Sequence, residues 1–134
     1  MAVDIAWEDR GVVLTLSGAV PLEVLVDHCR RIAADHRFDG LRYSIVDLRS
    51  LSPEPVSEHS VEELAAENWA AHLSNGNLRT FLIAEHPLAL SVAQRYRDVI
   101  PSALGVEKPT ICASPEQARE TLGLALPYPS GAGI

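Results

Sequence analysis

A carboxylate, several hydroxyls and an imidazole follow one another closely in the stretch VDLRSLSPEPVSEHSVEEL, Val46 to Leu64: Asp47, Ser50, Ser52, Ser57 and His59. These are the residue types from which a nucleophile, a base and an orienting acid are assembled. Their order matches no hydrolase pattern. No Gly-x-Ser-x-Gly elbow and no Gly-rich phosphate loop occurs in the chain. None of the five histidines stands three or four residues from another, so no helical metal pair is expected. Cys29 and Cys112 lie far apart, without metal or redox spacing. The expectation is therefore no catalytic residue, no metal and no cofactor. A hydrolase or transferase built on Asp47, Ser57 and His59 is the weakest of the readings. Asp47, Ser50, Ser52, Ser57 and His59 are instead candidates for a binding loop, because strand-end loops carry function and ligands sit beyond the carboxyl ends of parallel strands.

Local structure offers these residues plainer work. Asp47 at a strand end can accept from nearby loop N–H groups. Ser60-Val61-Glu62-Glu63 has the Ser-x-x-Glu form of a capping box, with Ser57 an alternative cap one turn earlier. Such a cap contributes about 1 kcal/mol. Arg30 and Arg31 beside Cys29 would favour a thiolate. Cys29 nevertheless falls on the apolar stripe of its helix, which predicts a buried, inert thiol.

The elements that must position these residues follow from periodicity. Val3, Ile5 and Trp7 alternate with Asp4, Ala6 and Glu8, and Val12, Leu14 and Leu16 with Val13, Thr15 and Ser17; Glu8 to Gly11 is the turn of a hairpin between them. Pro21 opens a helix with Leu22, Leu25, Cys29 and Ile32 on one face, broken at Asp39-Gly40. Tyr43–Val46 reads as an inner strand. A helix follows the serine-rich stretch to about Leu73, where Ser74-Asn75-Gly76 ends it with Asn or Gly in the left-handed conformation. Thr80–Ala84 is a strand, Pro87 to Ile100 a helix stopped by Pro101, and Thr110–Ala113 a last strand. Ser114 and Pro115 then start a helix running to Leu122. Residues 124–134 are rich in Pro and Gly and read as a tail beyond a domain of residues 1–123. The order ββαβαβαβα predicts one α/β domain: a mixed five-stranded sheet with an antiparallel edge strand and four helices.

The helix after the serine-rich stretch has apolar residues on more than one side. Val61, Ala65, Ala66, Trp69, Ala70 and Leu73 fill one broad face, while Leu64 and Ala71 lie nearly opposite. A helix of that kind has two neighbours. The second could be the tail, another subunit or a hydrophobic ligand, which makes Leu64 and Trp69 candidates for a pocket or interface. Trp69 reads first as core, since large aromatics bury much area.

The chain has 134 residues, 47% of them apolar, and a formal charge of −7. One domain with a real core fits these figures. Dispersed acidity disfavours a nucleic-acid phosphate backbone or an anionic membrane surface as partner. No apolar run approaches the roughly 18 residues of a membrane span, and no signal segment is apparent at the start. A cytoplasmic protein with reduced cysteines is expected.

Three stretches carry a family resemblance: RFDGLRYSIVDLRSL (Arg37 to Leu51), VSEHSVEELA, and AAHLSNGNLRTFLIAEHP (Ala70 to Pro87). Together with the element order they resemble the STAS fold of the SpoIIAA-like proteins, and more closely the small stand-alone STAS/SEC14-domain proteins. The resemblance implies the STAS fold over about residues 3 to 123. It loosely implies a regulatory or protein-interaction role, with a protein partner or a second copy of the chain as a homodimer. Its SEC14 side implies a carrier of a small apolar ligand instead. Antagonists of this kind carry Asp-Ser-Ser-Gly-Leu-Gly, whose second serine is phosphorylated. This chain has Pro55-Val56-Ser57-Glu58-His59-Ser60 there, so Ser57 alone is kept, and Glu54 and Glu58 would repel an added phosphate.

Overall fold

The computed structural model describes residues 2–52, 58–100 and 108–123. Two antiparallel strands, β1 (Ala2–Glu8) and β2 (Gly11–Gly18), open the chain. Helix α1 (Leu22–Ala34), strand β3 (Tyr43–Leu51), helix α2 (Glu58–Ser74) and strand β4 (Arg79–Ile83) follow, then helix α3 (Pro87–Val99), strand β5 (Thr110–Cys112) and helix α4 (Pro115–Leu122). The five strands lie side by side in chain order, with β1 on the edge and every pair from β2 to β5 parallel. This is the mixed sheet and four-helix complement that the periodicity predicts.

The order has a consequence for layering. Each crossover from β2 onward steps in the same direction, so right-handed connections place α1, α2 and α3 on one face of the sheet. The core agrees. Val12, Leu14, Leu16, Leu48 and Leu82 point to that face and are buried with Ile32, Val61, Ala65 and Ala93 of the three helices. The opposite face is covered by α4: Tyr43, Ile45, Phe81, Ile83 and Cys112 pack with Ala118.

Several local details depart from the sequence-based expectation. β3 does not stop at Asp47. It continues to Leu51, because a register shift between Thr15 and Ser17 lets Ser17 and Gly18 pair with Ser50 and Leu51. Asp47 is thus inside a strand. Helix α2 begins at Glu58, so Ser60 is its third residue and no N-cap, while Ser57 lies outside the described residues. Neither Asn75 nor Gly76 adopts a left-handed backbone. Asn75 is buried instead, and its amide donates to the carbonyls of Phe38 (2.8 Å) and Leu41 (3.0 Å). That ties the end of α2 to the 3-10 turn Phe38–Gly40. The broad face of α2 is also divided differently: Ala66, Ala70 and Leu73 are exposed, whereas Leu64 and Ala71 turn inward.

Helix starts in the second half follow capping rules. Ser114 accepts from the Gln117 amide (3.2 Å) with Pro115 first in α4, and Gly123 at φ 73° closes that helix. His86 caps α3 through Nδ1, which accepts from the Leu88 amide at 3.2 Å. At the hairpin tip Arg10 has φ 61°, a left-handed conformation unusual for a residue with a side chain.

Candidate functional site

The sheet and the helix layer do not close on each other completely. Between them is a cavity of about 380 Å³. Leu14, Val46 and Leu82 form part of its floor, and Ile32, Leu64, Ala71 and Val92 part of its roof. It arises from the composition of the helices. Facing positions carry Ala71 and Ala93 where larger residues would fill the layer, and α2 spreads its apolar residues around its circumference instead of concentrating them. At one end Phe38, Leu41 and Leu78 are buried. At the other, by the carboxyl ends of β2 and β3, Leu51 is half-buried and Glu23 is exposed.

Few polar groups interrupt this lining. On the floor, the hydroxyls of Ser44 and Thr80 bond each other across adjacent strands at 3.0 Å. On the roof, the Asn68 amide of α2 donates to the Tyr96 hydroxyl of α3. Asn68 also bonds the Cys29 thiol of α1, so one side chain joins all three helices at the cavity wall. Burial pushes the Cys29 thiol up to about 11, helped by the nearby Glu67 carboxylate and opposed by the Asn68 bond. Burial likewise raises the Tyr96 hydroxyl well above its ordinary value, again against the Asn68 bond. Both groups are neutral at physiological pH. Cys29 is accordingly a thiol and a poor nucleophile. Above this trio Arg30 and Glu67 pair at 2.5 Å on the outer surface of α1 and α2.

The residues singled out from the sequence separate in space. Asp47 shares the sheet face of Tyr43 and Ile45, the α4 side, opposite the cavity. Its carboxylate accepts from the Arg49 guanidinium at 2.7 and 3.0 Å and from the Arg49 backbone N–H at 3.0 Å. Burial pushes this carboxyl up, but the Arg49 bonds outweigh burial and hold it below its usual range. Both oxygens are therefore engaged locally. Ser50 is exposed near the end of β3, and the Ser52 backbone N–H donates to the Gly18 carbonyl at 2.8 Å. His59 is in the first turn of α2, and Ser57 lies outside the described residues. Leu64 lines the cavity. Trp69 is half-buried against the main core cluster and does not reach the lining. Asn68, Tyr96, Ser44 and Thr80 were not identified as site residues from sequence. The available signal was that Leu64 and Ala71, seven residues apart on α2, stand on the same side as Asn68.

A second polar cluster lies on the α4 side. The Tyr43 hydroxyl donates to Glu8 at 2.5 Å, and Arg119 of α4 donates to the other Glu8 oxygen at 2.6 Å. Burial raises the Glu8 carboxyl, yet the Arg119 and Tyr43 bonds bring it net below its ordinary value. Among the described residues, no three His, Cys, Asp or Glu side chains gather as they would to hold a metal ion. No described helix is long and apolar enough to cross a membrane.

No known family profile matches the chain, and no curated protein sequence matches it. Among solved structures it is similar to the anti-sigma factor antagonist SpoIIAA in its unphosphorylated form, at 14% identity and a TM-score of 0.63. The match covers 93% of this chain and 100% of that one. At that identity the likeness concerns the architecture, and the fold is the STAS fold.

Proposed function

We propose that this chain is a non-enzymatic binding module of STAS type that carries a small apolar molecule between its sheet and the helices α1 to α3. The observation that carries this reading is the cavity: its volume of about 380 Å³ falls in the range of small-molecule sites, and its walls are apolar with a few placed polar groups. The engaged Asp47 carboxylate and the neutral Cys29 thiol favour binding over chemistry. Native mass spectrometry of freshly purified protein is the test. A co-purifying mass of one apolar molecule per chain is expected, and Leu64→Trp, which fills the roof, should abolish it. A wild-type protein with no co-purifying mass and no saturable uptake of added hydrocarbons would overturn the reading.

A regulatory module that binds another protein, or itself as a homodimer, is the second reading. The likeness to an anti-sigma factor antagonist favours it. Its sequence disfavours phosphoregulation, because Pro55 and Val56 stand where the Asp-Ser-Ser motif has its first two residues. Light scattering after size exclusion, with a pull-down from native lysate, checks it; a strict monomer that captures nothing argues against it.

A further inference from the structure

The carrier reading leaves the ligand's chemistry open, and the inference here rests on that reading. We propose that the cavity selects an uncharged ligand: an apolar body with one neutral hydrogen-bond acceptor, such as a ketone, ester or ether oxygen, which takes the proton of the Tyr96 hydroxyl. Two independent features lead to this.

The first is the hydrogen-bond inventory of the roof. A tyrosine hydroxyl both accepts and donates. Tyr96 accepts from Asn68, which fixes the oxygen and leaves its proton to be given. Tyr96 is buried and lines the cavity, and among the described residues no acceptor takes that proton. A buried donor without a partner is costly, so an acceptor supplied by a ligand is favoured there.

The second feature is charge. Among the described residues no Lys, Arg or His lines the cavity, and the one acidic side chain in that lining, Glu23, is exposed. Cys29 and Tyr96 are both held in their neutral forms. A carboxylate or phosphate entering this space would lose its hydration, meet no counter-charge among those residues, and share the lining with the acidic Glu23. A neutral oxygen gives up far less. Size sets the remaining limit. At about 30 Å³ for each water-sized group, the space admits roughly a dozen non-hydrogen atoms.

Three probes of nearly equal shape test the proposal by calorimetric titration at pH 8: pentylbenzene, 1-phenylpentan-1-one and 5-phenylpentanoate. On the wild-type protein the ketone should bind about fivefold more tightly than the hydrocarbon, the increment of one net hydrogen bond. The carboxylate should bind at least about tenfold more weakly than the ketone. Tyr96→Phe should remove the ketone's advantage and leave pentylbenzene within about twofold. Equal binding of ketone and hydrocarbon, or a carboxylate that binds as tightly as the ketone, overturns the proposal while the carrier reading stands. If no probe binds at all, the carrier reading fails and takes this inference with it. The wild-type series decides the matter even where Tyr96→Phe folds poorly.

Discussion

Gly11 shows how far one side chain can be committed by its neighbour. A Cβ built there would fall 2.0 Å from Cζ of Tyr43, far inside van der Waals contact, so the tyrosine lies directly on the glycine of the adjacent strand. Gly11→Ala must displace the ring, and with it the bond from Tyr43 to Glu8. Overpacking of this kind costs about 1–3 kcal/mol, and urea denaturation should show a lower midpoint at unchanged slope. The need for glycine was not legible in the sequence, where Gly11 reads as the end of a turn. It is set by a residue of another strand that register brings opposite. Asn75 is similar. Read locally it is a left-handed helix terminator, but two carbonyls from the connection between α1 and β3 give it a buried structural place.

Elements were more legible than residues, for a physical reason. Strand and helix periods are written by the core on every second or every third and fourth position, so Val3, Ile5, Trp7 and Leu22, Leu25, Cys29 declared their elements locally. The length of β3 was hidden, since Asp47, Arg49 and Ser50 break the apolar run; backbone pairing with Gly18 carries the strand on. Hairpin geometry yields a prediction at this scale. Arg10 at φ 61° stores strain that glycine does not have. Arg10→Gly should therefore raise stability by up to about 1 kcal/mol, less what the more flexible unfolded chain takes back. A melting temperature higher by a few degrees would register it. The contact between α4 and β1 gives a pH-dependent one. Glu8 has its folded pKa lowered below the ordinary 4.5, so its contribution is fully present above that pH and is lost as pH falls through the folded value. Glu8→Gln should lower stability by roughly 1–3 kcal/mol at neutral pH, and the difference from wild type should shrink steadily below about pH 4.5.

At the scale of the whole molecule, the strand order carries the functional consequence. Ligands of doubly wound sheets sit where the order reverses. Among the described residues the order runs from β1 to β5 without reversal, so these strands offer no such switch point. The space is instead inside, between layers. This is why the site was only partly legible: Leu64 could be singled out as an apolar residue on the wrong side of its helix, but a cavity belongs to the spacing between elements and no single segment encodes it. Occupancy should be visible in stability. A ligand held at a hundred times its dissociation constant adds about 2.7 kcal/mol, which should raise the wild-type melting temperature by several degrees. Leu64→Trp should melt at or above the temperature of the empty wild type and show no ligand-dependent rise, by differential scanning calorimetry.

The bond from Arg119 to Glu8 joins positions 111 residues apart. During synthesis, the Glu8 carboxylate can gain its Tyr43 bond early, but it waits for its Arg119 counter-charge until α4 has left the ribosome. At about 5–20 residues per second that interval lasts roughly 6 to 22 seconds. The edge hairpin can form early, but its outer fastening is made among the last, and a chain cut short before Arg119 would leave the ribosome with that side of the sheet unlatched.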